Sequence, residues 1–411
     1  MDRINNPYAP GAGMQPPVLT GRDALIETAS IDMDRVLAGR PTKGMMLLGL
    51  RGVGKTVLLN TLHAIAVRKK FQTARIEAPE GGRLPQLLAP ELRRILYDLD
   101  LIVAVGHKVR QAASVLRNFV SAFNVKIGDI EISIDPARGR ADTGNLEQDL
   151  PDLMIAVAEA AQERKAVFGI FLDEIQYLSG EELAALVVAC HEIAQRNLPL
   201  FFVGAGLPQI AALAGKAKSY AERLFEYHQV DQLDEAAALT AVTSPAEREG
   251  VQFQPDAVRE ILRVTERYPY FLQEWGFHVW NFAPSNPIEL AHVTAAMPKI
   301  ISNLDASFFR VRFDRLTVLQ QKYLRAMAEL GRGPHQTGQI ASTLGVEPAA
   351  IAVIRQQLID KGMVWSQRHG ETAFTVPLFD EFMKRQMPSL IKHKPRRQKA
   401  KKQRSKKTKT T

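Results

Sequence analysis

Residues 44–60, which read GMMLLGLRGVGKTVLLN, constrain the fold of this chain more than any other stretch. They describe an apolar strand, a glycine-rich turn and a helix that opens at Lys55 and Thr56, which is the context that a phosphate-binding loop requires. In such a loop several backbone N–H groups point at one anion, and the positive end of the following helix dipole strengthens the attraction. Lys55 is then expected on the outer phosphates and the Thr56 hydroxyl on Mg²⁺.

The nucleotide-binding residues predicted from this motif form one continuous run. They are Gly49, Leu50, Arg51, Gly52, Val53, Gly54, Lys55, Thr56 and Val57. The glycines allow the tight turn and bring the backbone close to the phosphates of a bound nucleotide. The alternative is a strand-to-helix glycine turn that binds no ligand.

A second stretch, residues 166–178 (AVFGIFLDEIQYL), carries the acidic groups that such a site needs. Its apolar run describes a strand buried on both faces, as in a parallel sheet covered by helices. Asp173 and Glu174 follow at the carboxyl end of this strand, which places them beside the phosphate loop in a sheet of this type. Asp173 is predicted to hold Mg²⁺, and Glu174 to orient or deprotonate the attacking water. Gln176 either reaches the site or starts a surface helix.

Length and composition indicate an ordinary globular protein with two or three cores, since the chain has 411 residues, 46% hydrophobic and 24% charged. No apolar run approaches the roughly 20 residues of a membrane span, and the first residues lack the apolar core of a secretory signal. We therefore expect a cytoplasmic protein that makes no membrane contact. The single cysteine, Cys190, excludes a disulfide framework and is expected to be buried and inert.

The net charge of +9 arises from the end of the chain. Residues 392–411 hold 11 Lys and Arg and no acidic residue, and without them the 53 basic residues of the chain fall below its 44 acidic ones. We expect a disordered basic tail over 391–411. It could neutralise nucleic-acid phosphates, reinforce another DNA contact or only aid solubility, and we favour nucleic acid.

Alternating strands and helices predict an α/β fold, a doubly wound parallel sheet of the P-loop NTPase type, over residues 18–232. Residues 1–17, rich in Pro, Gly and Asn, are expected to form a flexible arm. An insertion at about 82–145 combines two helical stretches with a hairpin pattern at 124–134, and is either a partner-binding device or variable decoration. Arg223, on a short helix before the last strand, could supply charge to a neighbouring subunit's nucleotide; the alternative is a salt-bridged surface arginine.

Beyond residue 232 the strands stop, and helical patterns over 233–302 predict an all-α lid. Pro269 suits the first turn of one lid helix. Residues 305–390 predict a winged helix, with a helix-turn-helix and two short strands around Gly370. The first turn of its second helix offers poor hydrogen-bond donors to base edges, so we expect weakly sequence-specific DNA contact at best. The alternative is a winged helix that docks on protein or on its own ATPase domain. The candidate phosphate contacts are Arg355, Gln356, Arg368 and His369.

With these motifs placed, the chain resembles AAA+ ATPases of the origin-recognition-like type and the related STAND switch ATPases. The resemblance extends over about residues 17–390, and its specific parts are GLRGVGKT, FLDE and YPYFLQ. It implies ATP as the ligand, a lid that closes over adenine, and a segment at 18–22 that lies along the nucleotide. Lys55 and Thr56 match the Walker A pair, Asp173 and Glu174 the Walker B pair, and Arg223 the arginine-finger position.

Two departures from the family pattern favour a slow switch over a fast motor. Gly204, Ala205 and Gly206 stand where many AAA+ proteins place a polar sensor, and Tyr270 stands where initiator-type lids carry a sensor arginine. Pro269 instead resembles the STAND lid proline that touches the nucleotide. The leading hypothesis is an Mg-dependent ATP hydrolase that controls DNA binding or assembly and could form a homo-oligomer. The alternative is a signalling or defence scaffold in which ATP gates protein association and no DNA is bound.

Overall fold

A computed structural model of the protein describes residues 1–101, 106–126, 139–366, 368 and 370–390. The chain divides into two compact units. The first contains Met1–Ala306 together with Thr375–Pro377, and the second contains Ser307–Phe374 and the described residues that follow Pro377. The predicted ATPase core and lid therefore lie in one compact unit. No helix in the described part of the chain is long and apolar enough to span a membrane.

A parallel sheet of five strands forms the centre of the first unit. Its strands are β1 (Gly44–Leu48), β2 (Gln72–Glu77), β3 (Phe168–Asp173), β4 (Leu200–Gly206) and β5 (Phe225–Gln229). Their order across the sheet is β2-β3-β4-β1-β5, and every neighbouring pair is parallel. This arrangement confirms the α/β class and the parallel sheet that the alternating pattern predicts.

Helices connect these strands. They are α1 (Asp23–Leu37), α2 (Lys55–Arg68), α3 (Leu84–Leu101), α4 (His107–Ala122), α5 (Leu146–Glu163), α6 (Gly180–Gln195), α7 (Ile210–Ala217) and α8 (Ala221–Leu224). All six residues of β3 are buried, because helices pack on both faces of the sheet. Ile170 and Leu172 belong to the core cluster that α3 to α6 complete, whereas the Phe171 ring lies 5.1 Å from His63 of α2. Successive side chains of the strand thus enter opposite layers.

The insertion at about 82–145 contributes to this core. Helices α3 and α4 agree with the two predicted helical stretches, and Leu92, Val115 and Phe119 on them are fully buried beside α5. Their apolar faces are therefore part of the main core, and both interpretations of the insertion, a partner-binding device and variable decoration, stay predictions. Most of the hairpin predicted at 124–134 lies outside the described residues.

The expectation of a flexible arm over residues 1–17 is wrong. The Tyr8 side chain is only 3% exposed, and its hydroxyl donates a hydrogen bond to the carbonyl of Val242. Its ring lies where a Cβ on Gly276 would approach within 2.4 Å. The indole N–H of Trp280 also donates to the carbonyl of Asp2, at 2.7 Å. The composition of the segment does not predict this attachment. A single aromatic side chain can bury enough apolar surface to hold a segment that is otherwise rich in Pro and Gly.

The arm packs on the helical region that follows the sheet. Its helices are α9 (Glu235–Arg248), α10 (Pro255–Thr265), α11 (Pro269–Phe282) and α12 (Leu290–Leu304). These helices fall where the sequence predicts them, with ends shifted by a few residues. Pro269 is the first residue of α11, where a missing backbone N–H costs nothing because that group has no partner within the helix.

The second unit contains short helices and a small antiparallel sheet. After a π-helical turn at Asp305–Phe309, its elements are α13 (Arg310–Phe313), α14 (Val318–Glu329), β6 (His335–Gln336), α15 (Thr337–Leu344), α16 (Pro348–Asp360), β7 (Val364–Trp365), β8 (Glu371–Phe374) and α17 (Phe379–Gln386). The sheet order is β6-β8-β7. The aromatic core of the second unit is fully buried and consists of Phe309, Tyr323, Phe379 and Phe382. The sequence predicts α14, α15, α16, β7 and β8 but not the two-residue strand β6, which is too short to leave a periodic pattern.

Candidate functional site

The site lies at the carboxyl edge of the parallel sheet, where the loops after β1 and β3 meet. Strand β4 lies between these two strands and pairs with both. The glycine-rich loop after β1 and the acidic pair that ends β3 therefore emerge on either side of the same strand end. Ligands in open α/β sheets bind at this edge.

The conformation of the loop explains its glycines. Gly52 and Gly54 have φ angles of 82° and 89°, in the left-handed region that glycine adopts without steric cost. Gly49 has no such angle, but a Cβ there would lie 2.0 Å from the carbonyl oxygen of Val230. The backbone N–H of Gly49 donates to the carbonyl of Gly206 at 3.1 Å, which fixes the start of the loop on the end of β4.

Lys55 lies inside the loop at the first turn of α2. Its side chain is 8% exposed, and Nζ donates to the carbonyls of Gly49 at 2.9 Å and Leu50 at 2.8 Å. Burial lowers the pKa of Lys55 to about 8, although Glu174 and Asp173 act in the opposite direction. The ammonium group is thus poorly solvated by water and would gain strongly from an anionic phosphate.

Asp173 and Thr56 provide the oxygen ligands that Mg²⁺ prefers. Asp173 is 2% exposed; its Oδ1 accepts the backbone N–H of Glu174 at 2.8 Å, whereas its Oδ2 is buried and takes no hydrogen bond from the described residues. Burial raises the pKa of Asp173, and the nearby Thr56 hydroxyl lowers it in part. A buried carboxylate oxygen without a donor fits a cation or its hydration water.

A complete protein cage for a metal is not present in the described ranges, since no group of three or more His, Cys, Asp and Glu there could hold an ion. A Mg²⁺ at Thr56 and Asp173 would take its remaining ligands from phosphate and water, which is how Mg²⁺ commonly binds in nucleotide sites. The residues present therefore fit the cofactor that the sequence predicts.

Glu174 faces the loop from the end of β3. Its Oε1 lies 3.6 Å from Nη1 of Arg51, and Nη2 of the same arginine donates to the Tyr177 hydroxyl at 2.8 Å. Its backbone is left-handed, with a φ of 52°, which costs a non-glycine residue about 1–3 kcal/mol. Gln176 donates from its side-chain amide to Oε2 of Glu174. The sequence predicts Arg51 as a residue of the phosphate-binding loop, through its backbone N–H. It does not predict the contacts of the Arg51 side chain with Glu174 and Tyr177, because no local pattern marks them.

Helix α11, which falls in the predicted lid, and the segment before α1 both contact the glycine-rich loop. The backbone N–H of Tyr270 donates to the carbonyl of Gly52 at 3.1 Å, directly after Pro269. Arg22 donates from Nη2 to the carbonyl of Val53 at 3.2 Å. The structure therefore brings the start of α11 and the end of segment 18–22 to the loop that the sequence predicts to bind phosphate.

The remaining loop residues lie in or beside the same turn. Val53 is buried, while Leu50 and Val57 are half-buried. Arg223 does not join them. It is exposed on α8 and precedes Phe225, which pairs with Gly44 at the beginning of β1, the end of the sheet opposite the site. Any contact of Arg223 with a nucleotide would have to come from a neighbouring copy.

The second unit uses one of its predicted phosphate contacts internally. Arg355 donates to the Thr372 hydroxyl and the Ser366 hydroxyl, each at 2.8 Å, and to the carbonyl of Glu371 at 2.9 Å. These donors hold the β7–β8 hairpin to α16, so Arg355 has an internal role that the sequence did not predict, and its contact with phosphate stays a prediction. The Gln356 side chain donates to Asp360 of the same helix.

The solvent side of α16 carries small and apolar side chains. Ala349, Ala350 and Ala352 are exposed, and Val353 is 67% exposed. Arg368 is exposed near the hairpin, and His369 lies outside the described residues. The alanine and valine side chains at the start of α16 offer no hydrogen-bond donor to base edges, and weak sequence specificity stays a prediction.

Comparisons with known proteins support an ATPase of the AAA+ type. Residues 18–203 match a family model described as an AAA ATPase domain, and residues 306–383 match a domain of unknown function. A search of curated proteins found no significant match. The structure of a Walker-type ATPase of Pyrococcus abyssi has a TM-score of 0.56 to this chain at 15% identity, and the alignment covers 87% of this chain and 95% of that one.

Two further structures align at lower TM-scores. Orc1 of Aeropyrum pernix, solved in complex with DNA, has a TM-score of 0.45 at 19% identity, covering 91% of this chain and 94% of its own. A RuvB mutant of Thermotoga maritima has a TM-score of 0.44 at 15% identity, covering 86% and 92%. At 15% identity the likeness to the Pyrococcus abyssi ATPase shows the fold alone. Together with the family model over residues 18–203, it supports the predicted P-loop ATPase of the AAA+ type.

Proposed function

We propose that this protein, through its ATPase domain of the AAA+ type, binds Mg-ATP and hydrolyses it slowly as a switch. One observation carries the proposal: Lys55, Asp173 and Glu174 converge at the same sheet edge although more than 110 residues separate the lysine from the acids. An amine with a depressed pKa and a carboxylate oxygen without a donor are the groups that a triphosphate and its metal would satisfy.

Each residue has a defined part in that reaction. The N–H groups of the loop and Lys55 would bind the β- and γ-phosphates, and Thr56 and Asp173 would hold Mg²⁺, which offsets phosphate charge when bound. Glu174 would orient a water molecule and accept its proton as the water oxygen attacks the γ-phosphorus. The bond from that phosphorus to the bridging oxygen breaks, and ADP leaves with the electron pair.

The lid supplies the switch. The Tyr270 N–H bonds to Gly52 O within the loop, so a shift of the loop around phosphate would be transmitted to the start of α11. The glycines at the end of β4 offer no polar side chain to the γ-phosphate. Position 270 carries a tyrosine where initiator-type lids carry a sensor arginine, so it offers no cation either. We therefore expect slow turnover, because fewer groups stabilise the charge of the transition state.

Arg223 is proposed to act on the nucleotide of a neighbouring copy. An arginine supplied in trans can raise phosphoryl-transfer rates by about 10³–10⁵. The specific ATPase activity should then rise with protein concentration, and Arg223→Ala should abolish that rise without changing the basal rate of the dilute protein. Constant specific activity from dilute to concentrated protein would remove this role.

The output of the switch is proposed to be DNA binding through phosphate contacts. The winged-helix order of elements in the second unit and the 11 Lys and Arg of residues 392–411 support it. The exposed alanines and Val353 of α16, together with the internal use of Arg355, favour a second candidate, in which that helix docks on a protein partner. Both candidates retain the same ATP site.

ATP turnover and DNA retention test the function together. The full chain should release phosphate and retain duplex DNA on a gel in an ATP-dependent manner, and Lys55→Ala should lose both. Lys43→Ala, an exposed lysine just before β1, is the matched control and should behave as the parent. If Lys55→Ala keeps the parental ATP affinity, the assignment of the loop is wrong.

A salt titration separates the two outputs. Phosphate contacts release counterions, so DNA affinity should fall steeply with added salt in proportion to the number of contacts. A protein-docking switch would hydrolyse ATP normally yet show no DNA binding at low salt. That result would leave the ATP site intact and assign α16 to a protein partner.

A further inference from the structure

Gln176 links the proposed water-orienting residue to the end of a neighbouring strand. Its Oε1 accepts the backbone N–H of Leu207 at 3.1 Å, and its Nε2 donates to Oε2 of Glu174. The two partners fix the orientation of the amide, because the Leu207 N–H can only donate and the carboxylate can only accept. The side chain therefore spans from β4 to Glu174.

Glycine at the end of β4 makes room for this link. A Cβ on Gly206 would lie 2.8 Å from Oε1 of Gln176 and 2.7 Å from Cγ2 of Ile175. Either distance is too short for carbon contacts, so a larger residue at position 206 would displace the segment that carries Gln176. In the sequence, Gly206 stands where many AAA+ proteins place a polar sensor. In the structure, the missing side chain leaves the space that the Gln176 amide occupies.

Glu174 needs an external restraint. Its backbone is left-handed and lies directly before the 3₁₀ turn Ile175–Tyr177. Nη1 of Arg51, in the loop, lies 3.6 Å from its Oε1. Without a donor on Oε2, the carboxylate could rotate and pair with the arginine through both oxygens, since such bidentate pairs are favourable. The bond from Gln176 occupies Oε2 and leaves Oε1 directed to the phosphate-binding loop.

We infer that Gln176 is the positioning residue of the hydrolytic step. It holds Glu174 so that Oε1 can accept the proton of a water molecule aligned with the γ-phosphate. This inference rests on the proposed ATPase function and adds a residue that acts through Glu174. Misplacement of a catalytic group by about 1 Å can cost 100-fold in rate, whereas nucleotide binding depends on Lys55 and the loop amides, which Gln176 does not contact.

The first test is Gln176→Ala in the full chain. We expect kcat for ATP to fall by about 10- to 100-fold, while the Kd of a non-hydrolysable ATP analogue stays within about twofold of the parent. Gln195→Ala, at the exposed end of α6, is the matched control and should leave both values unchanged. A parental kcat in folded Gln176→Ala would overturn the inference, as would an equal loss in analogue affinity.

A charge change at the same position supplies a second readout. Gln176→Glu replaces the amide that donates to Oε2 of Glu174 with a carboxylate, which cannot donate when ionised and repels Oε2. We expect kcat to fall at least as far as in Gln176→Ala, while the Kd of the analogue stays within about twofold of the parent. A parental kcat in Gln176→Glu would show that position 176 does not act on Glu174.

Gly206→Ala approaches the same contact from β4 and keeps the inference testable if Gln176→Ala fails to fold. We expect a similar loss of kcat with analogue binding retained. In the double variant the two losses should combine to less than their product, because both break one link. Independent, fully multiplicative losses would contradict a shared mechanism.

Glu174→Gln distinguishes failure of this inference from failure of the ATPase proposal. If the parent releases no phosphate, or Glu174→Gln keeps the parental rate, the proposed function itself is wrong. If Glu174→Gln loses turnover while Gln176→Ala and Gly206→Ala keep it, only the role of Gln176 is wrong.

Discussion

The two edges of the parallel sheet are built from the same strands but differ in chemistry. The carboxyl edge gathers Lys55, Asp173 and Glu174, with a strained backbone at Glu174. The amino edge borders a cavity of about 280 Å³ whose apolar part includes Val167, Phe202 and Phe225. Buried charged groups gather at the carboxyl edge, whereas the cavity at the amino edge combines buried apolar side chains with exposed polar ones such as Arg40 and Lys165.

The single cysteine shows the contrast at the level of one group. Cys190 lines the cavity at the amino edge and is buried, and burial raises its pKa to about 12. Its thiol is therefore protonated and unreactive near neutral pH, as the sequence predicts. At the carboxyl edge burial also favours the neutral form of Lys55, but for an amine this lowers the pKa, to about 8.

The difference follows from the direction of the chain. In a parallel sheet the loops at the carboxyl edge lead into helices, so helix N-termini with free N–H groups face that edge. The loops at the amino edge follow helix C-termini, whose carbonyls repel anions. Anion chemistry is thus expected at the carboxyl edge, and changes to the buried side chains around the cavity at the amino edge should affect stability and not the turnover of a single copy.

The largest expected effect is on turnover at the carboxyl edge. Glu174→Gln keeps the size of the side chain but removes the proton acceptor, so kcat should fall by about 10²–10⁴ with ATP still bound. Phosphate release under saturating ATP measures it. Lys165→Gln, an exposed change beside the cavity at the amino edge, is the control and should keep the parental kcat. Equal losses in both variants would break the contrast between the edges.

The next effect is on stability at the amino edge. Phe225 is fully buried, with its ring centroid 5.6 Å from that of Phe202. Phe225→Ala should lower the free energy of unfolding of the first unit by about 3–5 kcal/mol. Denaturant titration measures this loss, and kcat at a temperature where the variant remains folded should be unchanged. Leu37→Ala, exposed on the rim of the same cavity, should cost less than about 0.5 kcal/mol.

The smallest effect is the pH dependence of ATP binding. The pKa of Lys55 is about 8 in the free protein, and a bound triphosphate would raise it. Affinity should therefore be highest below pH 8 and fall by up to about tenfold per unit above it, because binding then requires uptake of a proton. Calorimetry at pH 8 in buffers of different ionisation enthalpy should detect this proton, and Lys55→Ala should remove it.

The same shift affects folding with a defined sign. The folded pKa of Lys55 is lower than its ordinary value of 10.5, so the unfolded chain binds more protons between pH 8 and 10.5. The contribution of Lys55 to stability therefore increases as pH rises through that window. Lys55→Ala should flatten this part of the stability profile. If the free energy of unfolding of Lys55→Ala rises with pH as in the parent, burial of the Lys55 amine does not cause the rise.

Sequence patterns predicted the site where the signal is local. The strand at 45–48, the helix after Gly54 and the acidic pair after a buried strand each follow from spacing within about 15 residues, and all appear in the structure. The helices α3 and α4 of the insertion were predicted for the same reason. The pattern could not show that Phe119 on α4 belongs to the main core, since burial depends on α5 far along the chain.

The errors came from contacts between distant segments. The Tyr8 hydroxyl finds its acceptor 234 residues away, and the Arg355 donors find theirs on a hairpin that folds back onto α16. Composition suggested a flexible arm in the first case, and in the second the position of Arg355 in the predicted winged helix suggested only a phosphate contact. A short polar segment or a single arginine carries no periodicity that would reveal its partner.

The sequence by itself determined the class of this protein: a phosphate loop, an acidic strand end and an alternating α/β order. Tertiary structure alone decided which side chains meet there, with Arg51 and Gln176 on the two oxygens of Glu174 and the lid bonded to Gly52. The physical reason is range. Backbone periodicity and turn chemistry act over a few residues, whereas the packing of the whole sheet sets the distances between its loops.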